Sequence, residues 1–415
     1  MTKANAHGLF VGLKSEDSFK RKIHIDNGDR EDALLRDADK HIRTKLREAF
    51  SQVGKLLESD EGRRRRVTGR SNEAISKSGQ VRAIDVRFLR QGSFAYQTLV
   101  RPARNPPQEI DLDDGVYVPV EFVNGQPIFP SEALFYVVEQ ALQPLLRERP
   151  SWKLIRKKTC IRIQLGNNGA HIDLPLFAVE KSQFERVEKN FSDAFGAEAR
   201  SAKILNETGL PERDKYYRVP SDAIFLAHRT DDWVPSDPKA FQDWFELWVS
   251  ELGPVCRRAS MYVKAWRDHH FEKSDLTSLA ITVTVVRALK ELDGKPADDR
   301  DDQISLIIFR KLREYIAGDG IFHPITESRL DEEWTDEGRA TLIRAIDAAI
   351  NELEAALHRT THKQLVVNHL RSAFGVRFPD CPDSVKVDGA SQVAVLTEEK
   401  AAHVPHPSII SSTSG

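Results

Sequence analysis

The stretch Glu109-Ile110-Asp111-Leu112-Asp113-Asp114-Gly115 concentrates carboxylates in a pattern suited to metal chemistry. Asp111 and Asp113 lie two apart with Ile110 and Leu112 interleaved, the alternation of a β-strand. Both carboxylates therefore share one face while the apolar pair enters a core. A second strand-like run, His171-Ile172-Asp173-Leu174-Pro175-Leu176, offers another carboxylate, Asp173. Upstream, the strand pattern over 84–89 runs into Gln91-Gly92-Ser93, where a glycine lets backbone approach phosphate and the serine offers a hydroxyl and an amide. Three aspartates on neighbouring strands beside such a turn are what two-metal nucleotidyl transfer requires. Two Mg²⁺ ions about 3.5–4 Å apart activate the attacking hydroxyl and neutralise charge on the transferred phosphoryl group. Asp111 and Asp113 are suited to share both ions, and Asp173 completes one shell or accepts the hydroxyl proton. Asp114 faces away by alternation and is expected as a turn residue that hydrogen-bonds locally.

The elements that must position these residues read as follows. Residues 31–58 carry apolar positions at helical spacing and predict one long helix bracing two lobes. The run Arg63-Arg64-Arg65-Arg66 follows in a polar stretch that predicts a solvated loop. Residues 131–148 predict an amphipathic helix capped by Ser131. Residues 158–165 and 170–179 predict a hairpin around Gly166-Asn167-Asn168-Gly169. A last short strand is expected over 223–227, and the pattern is helical nearly throughout from 237 to 374. The fold class is therefore α+β: a lobe built on a mixed sheet, followed by a second, α-helical lobe. The expected division is 1–30 N-terminal segment, 31–233 catalytic lobe, 234–376 helical lobe and 377–415 flexible tail.

Bulk composition narrows the function class. Apolar content of 40% and charged content of 30% are those of a globular protein, and 61 basic against 63 acidic side chains make a general nucleic-acid binder unexpected. The three cysteines form no C-x-x-C pair, which argues against a zinc ribbon or a disulfide framework and fits a reducing cytoplasm. No apolar run is long enough to span a membrane. His269-His270 and the pair His358/His362 have no third ligand in sight and read as solvated histidines.

The residues also carry a family resemblance. The run Gln91-Gly92-Ser93-Phe94-Ala95-Tyr96-Gln97-Thr98, the segment from Pro106-Pro107-Gln108 through Val118-Pro119, and Ala170-His171-Ile172-Asp173-Leu174-Pro175-Leu176 resemble the bacterial cGAS/DncV-like nucleotidyltransferases (CD-NTases). So do Trp233-Val234-Pro235-Ser236-Asp237-Pro238, Tyr262-Val263-Lys264-Ala265-Trp266-Arg267-Asp268 and Ser274-Asp275-Leu276-Thr277-Ser278. The resemblance implies a polymerase-β-like nucleotidyltransferase lobe with the active site in the cleft between it and the helical lobe. It also implies two successive 3′–5′ transfers from ATP and GTP that close a cyclic dinucleotide, 3′,3′-cyclic GMP-AMP. It makes Asp111, Asp113 and Asp173 the ligands of two Mg²⁺ ions. It places Gln91, Gly92, Ser93, Arg162, Ser236, Lys264 and Ser278 at nucleotide. It also implies anti-phage signalling through an effector that the product activates, with DNA sensing disfavoured. In such systems an E1/E2-like enzyme can conjugate the cyclase through its last residue, here Gly415. Taken without the resemblance, Lys264 is a helix residue with a plausible phosphate contact, and Ser236 and Ser278 read equally as helix caps. Competing functions are a transferase making other cyclic or linear oligonucleotides, and a non-catalytic nucleotide-binding module.

Overall fold

The computed structural model describes residues 3–12, 17–166, 169–183, 224–236 and 238–387. Among the described residues, seven strands form one mixed sheet: β1 Arg87–Gln91, β2 Ile110–Val120, β3 Lys153–Arg156, β4 Cys160–Gln164, β5 Ala170–Glu180, β6 Ile224–His228 and β7 Asp232–Pro235. The two long strands β2 and β5 run parallel at its centre, and every other pairing is antiparallel. β5 carries β2 along one side, and on the other β4 along its first half and β6 along its second. Parallel neighbours are joined by a crossover of about a dozen residues or more, usually carrying a helix. Here the crossover between β2 and β5 contains the helix Ser131–Glu148 and the β3–β4 hairpin.

Alternation sorts the two faces of β2. Ile110, Leu112, Val116 and Val118 are buried in one core with residues of α1 Arg30–Phe50 and α2 Ser131–Glu148, among them Leu35, Ile42, Leu134 and Val138. Asp111, Asp113, Gly115 and Tyr117 take the other face. There Tyr117 stacks on Phe177 of β5 at 4.7 Å between ring centroids.

A second core gathers helices Pro238–Leu252, α3 Val255–His270, α4 Ser278–Lys290, Asp301–Ala317, Asp336–Glu354 and Lys363–Phe374. The N-terminal residues belong to it as well. Helices His7–Val11 and Phe19–Ile23 bury Phe10 and Phe19 against Tyr262, Phe374 and Phe378. Past Phe378 the chain makes a 3₁₀ turn at Pro382–Ser384, and Lys386–Val387 pairs with Ala4–Asn5.

Several local expectations are corrected. The helix expected over 31–58 ends at Phe50 and restarts as Val53–Leu57, because Gln52 takes a non-helical conformation at φ −129°. The buried side chains of both pieces lie in the sheet-side core alone, so this segment does not brace both cores. The tetra-arginine run is helical, Asp60–Val67, not a loop. Ser59 caps it by accepting from Gly62 N, acidic residues occupy its first turn, and arginines occupy the last, as the helix dipole favours. Arg64 pairs with Glu61, and Arg65 with Glu61 and Glu132. Ser131 is not the cap of α2: Pro130 holds that position, and the Ser131 hydroxyl donates to His228 O instead. Strands β3 and β7 were not foreseen. Residues 184–223, whose sequence is charged and shows no strand or helix periodicity, lie outside the described residues, as do Asn167 and Asn168. No helix among the described residues is long and apolar enough to cross a membrane.

Candidate active site

Register brings the acidic residues together. Asp113 of β2 is the lateral partner of Asp173 of β5, Asp111 is the partner of His171, and on the flanking strands Gln91 lies beside Asp113 and Arg162 beside Asp173. All four residues 111, 113, 171 and 173 therefore share one face. The consequence is electrostatic. Burial and the neighbouring charges of Asp111 and Asp173 push the Asp113 carboxyl far above the usual carboxylate range.

Gly92 makes the approach from β1 possible. Its φ is +63°, and a Cβ there would collide with the Asp113 carboxylate, so the turn Gly92–Ala95 closes directly over that side chain. Ser93 O accepts from Thr98 N, which folds the following loop back on the turn.

Arg162 occupies the third aspartate. Its Nε and Nη2 each lie 2.7 Å from an Asp173 oxygen in a bidentate fork. His171, unassigned by sequence reasoning, bridges two carboxylates. Its Nδ1 lies 2.8 Å from Glu109 Oε2 and its Nε2 2.9 Å from Asp111 Oδ1. The second approach is close but not aligned as a hydrogen bond, which leaves both atoms buried and unsatisfied. Burial opposes the charged imidazole, yet the adjacent Asp111 carboxylate raises its pKa. Glu109 is held below its ordinary range: burial works against it, and hydrogen bonds from Gln164 and His171 prevail.

These side chains fit a cation. Asp111, His171 and Asp173 each present a ligand atom within 4.8 Å of the others. An orphaned Asp111 oxygen and a crowded Asp113 carboxyl are what a bound dication would relieve.

A cavity of about 510 Å³ opens beside the cluster, lined by Ser93, Asp111, Arg162, Lys264, Arg267 and Ser278 among others. Lys264, on α3, is buried and donates to Thr98 Oγ1 at 2.9 Å and Thr98 O at 3.2 Å. Burial, then the charge of Arg267, pulls its pKa down to about 7. Ser278 is the first residue of α4; the cap is Thr277, whose side chain accepts from Ala280 N. Of the sequence-predicted nucleotide residues, Gln91, Gly92 and Ser236 do not line the cavity, and neither do Asp113 and Asp173. The Gln91 amide donates to the Tyr117 hydroxyl, and Ser236 follows β7 with its amide on Ile224 O. Gly415 lies outside the described residues.

Sequence reasoning missed His171, Glu109, Thr98 and Arg267. The first carried a signal: in His171-Ile172-Asp173 the period of two that selects Asp173 selects His171 equally.

Comparison with known proteins agrees with this geometry. Residues 86–177 match the family described as cyclic GMP-AMP synthase DncV-like, nucleotidyltransferase domain. The chain is 32% identical over 238 residues to a cyclic GMP-AMP synthase of Vibrio cholerae, covering 56% of this chain and 53% of that one. It is 33% identical over 216 residues to one of Escherichia coli, covering 51% and 49%. The chain thus spans about half the length of the curated relatives it matches. Among solved structures, Vibrio cholerae DncV superposes with a TM-score of 0.74 at 23% identity, over 93% of this chain and 100% of that one. The same protein in complex with the linear intermediate 5′ pppA(3′,5′)pG gives 0.76 at 22%, over 94% and 100%. The fold is that of a polymerase-β-like nucleotidyltransferase, as in the DncV structures, and residues 86–177 are similar to the DncV-like nucleotidyltransferase domain.

Proposed function

We propose that this chain joins ATP and GTP into a cyclic dinucleotide, 3′,3′-cyclic GMP-AMP, by two nucleotidyl transfers that depend on two Mg²⁺ ions. The observation that carries this is the lateral pairing of Asp113 with Asp173, with Asp111 on the same face and the Gly92–Ser93 turn closed over them. Relatives named for cyclic GMP-AMP synthesis, and a solved relative holding a pppApG intermediate, support the choice of product.

Asp111, Asp113 and Asp173 would hold the metal, which supplies a lowered pKa for the attacking hydroxyl and charge neutralisation at phosphorus. Asp173 is free to act only once Arg162 leaves it, so that guanidinium is placed to exchange a carboxylate for a phosphate oxygen, a partner of the same fork geometry. Ser93 donates to phosphate from the turn. Lys264 exchanges Thr98 for a phosphate and regains its proton there, since an anion stabilises the ammonium. Ser278 adds a hydroxyl from the start of α4. Gln91 and Ser236 complete the nucleotide contacts in this proposal from outside the cavity lining.

The setting follows the same proposal. The enzyme works in the cytoplasm in anti-phage defence, its product activates an effector, and an E1/E2-like enzyme conjugates it through Gly415. The lobes divide as 31–233 and 234–376. The experiment is incubation with all four nucleoside triphosphates and Mg²⁺, followed by mass spectrometry of phosphatase-resistant product. A cyclic GMP-AMP mass that vanishes in Asp113→Ala is expected. Linear products alone would replace cyclisation with simple oligomerisation, and product from Asp113→Ala would overturn the site.

A further inference from the structure

Lys264 and Arg267 are three apart on α3 and so share a face. Both line the cavity beside Ser278. Arg267 is held far more firmly than a surface arginine. Its Nε donates to Asp268 Oδ1 at 2.8 Å, and its Nη2 lies 2.7 Å from the same oxygen. Its Nη1 donates to Leu276 O at 3.0 Å and to Ser278 Oγ at 3.3 Å. Guanidinium has five N–H donors and no acceptor. Ser278 Oγ can therefore only accept from it, and the serine's own hydrogen must go elsewhere. Leu276 O and Ser278 Oγ flank the capping residue Thr277, so the same nitrogen also fixes the start of α4 against the end of α3.

We propose that Arg267 is a positioning residue for nucleotide binding: by taking up the Ser278 oxygen as an acceptor it leaves the serine hydrogen to be donated into the cavity, to a phosphate oxygen of a bound nucleoside triphosphate. Asp268 sets the plane of the guanidinium, and Leu276 O sets its height on α4. The arrangement gives a polarised hydroxyl donor, because a hydrogen bond received from a cation strengthens the one donated onward. This rests on the proposed nucleotidyltransferase function and extends it to a residue that contacts phosphate through another.

The test is calorimetric titration of the full chain with α,β-methylene analogues of ATP and GTP in Mg²⁺, for wild type, Ser278→Ala, Arg267→Gln and the double variant. Ser278→Ala should weaken the analogues about 10-fold, and Arg267→Gln about 10-fold or more. The double variant should lie within about threefold of Arg267→Gln alone, because the second change removes a group already misdirected. Arg267→Lys keeps the charge without the fork and should bind as weakly as Arg267→Gln. It also serves as the test variant if circular dichroism shows Arg267→Gln unfolded. Losses that multiply to about 100-fold, or full rescue by lysine, would overturn the positioning role. A wild type that binds neither analogue would overturn the function reading and this inference with it. Binding with an additive cycle sinks the inference alone.

Discussion

Gly92→Ala separates backbone strain from damage to the site. Gly92 sits at φ +63°, where an L-residue costs about 1 kcal/mol. Part of that cost is offset, because alanine removes about 0.4–1 kcal/mol of unfolded-chain entropy. The net stability loss from strain is therefore about 0–0.6 kcal/mol. The second effect is local, since the new Cβ collides with the Asp113 carboxylate and one of them must move. A displacement of about 1 Å at a catalytic group costs about 100-fold in rate. Gly69 provides the control: φ is +66° and no heavy atom lies within 4 Å of a Cβ built there. Gly69→Ala and Gly92→Ala should thus lose similar stability in thermal unfolding, while only Gly92→Ala loses about 100-fold in product formation. Rates within about threefold of each other for the two variants would refute the claim that the turn is shaped around Asp113.

Other expectations follow from the same contacts. Arg162→Ala removes the cation that neutralises Asp173, so its melting temperature should respond to Mg²⁺ more strongly than wild type, by about 1–2 kcal/mol at saturating ion; equal responses would sever Arg162 from the metal site. Folded Lys264 loses its proton near pH 7, whereas the unfolded side chain holds it to about 10.4. The unfolded state therefore binds more protons in between, and stability should rise with pH from about 7 to 10. Lys264→Met should flatten that rise, and an unchanged pH profile in chemical denaturation would disprove the burial of the amine. Asp114→Ala strips Arg43 of a fork in a fully buried site and should cost about 3 kcal/mol, while Asp114→Asn keeps a hydrogen-bond acceptor and should cost about half that; equal losses in urea titrations would mean that packing, not pairing, is what matters there.

How far the sequence could be read depended on the range of the interaction involved. The period of two placed Asp111 and Asp113 on one face because it is a property of the strand alone, whereas Asp173 joins them through the register of β2 with β5. The helical lobe was equally plain: the helical pattern expected from 237 to 374 corresponds to helices that begin at Pro238 and end at Phe374. What was hidden depended on register and packing. The fork between Arg162 and Asp173 exists because β4 pairs with β5 at that offset, which the hairpin's turn residues do not fix alone. The tetra-arginine run looked like a loop because its helix has no apolar stripe; a serine cap, two first-turn acids and ion pairs hold it instead. The N-terminal stretch buries Leu9, Phe10, Phe19 and Ile23 from two helices of five residues each, too short to show a period.

The two consecutive aspartates show how the scaffold and the site depend on one another. Asp113 and Asp114 differ by one position on β2 and so point to opposite faces. Asp114 is fully buried, forked by Arg43 of α1, and Arg43 is joined through Asp39 to Arg90 of β1. Burial and the Asp39 charge raise the Asp114 pKa against the pull of Arg43. A one-residue slip of β2 would thus exchange a carboxylate matched to a guanidinium for one that is not, besides turning Leu112 out of the core. The register that sets Asp113 beside Asp173 is therefore defended from behind the sheet. On the front, the helical lobe grips main-chain oxygens of the loop leaving the Ser93 turn: Arg257 takes Tyr96 O, Lys264 takes Thr98 O, and Arg377 takes Arg101 O. Of these three cations only Lys264 lines the cavity, so nucleotide that captures its ammonium loosens one grip of three and leaves the turn anchored by the other two.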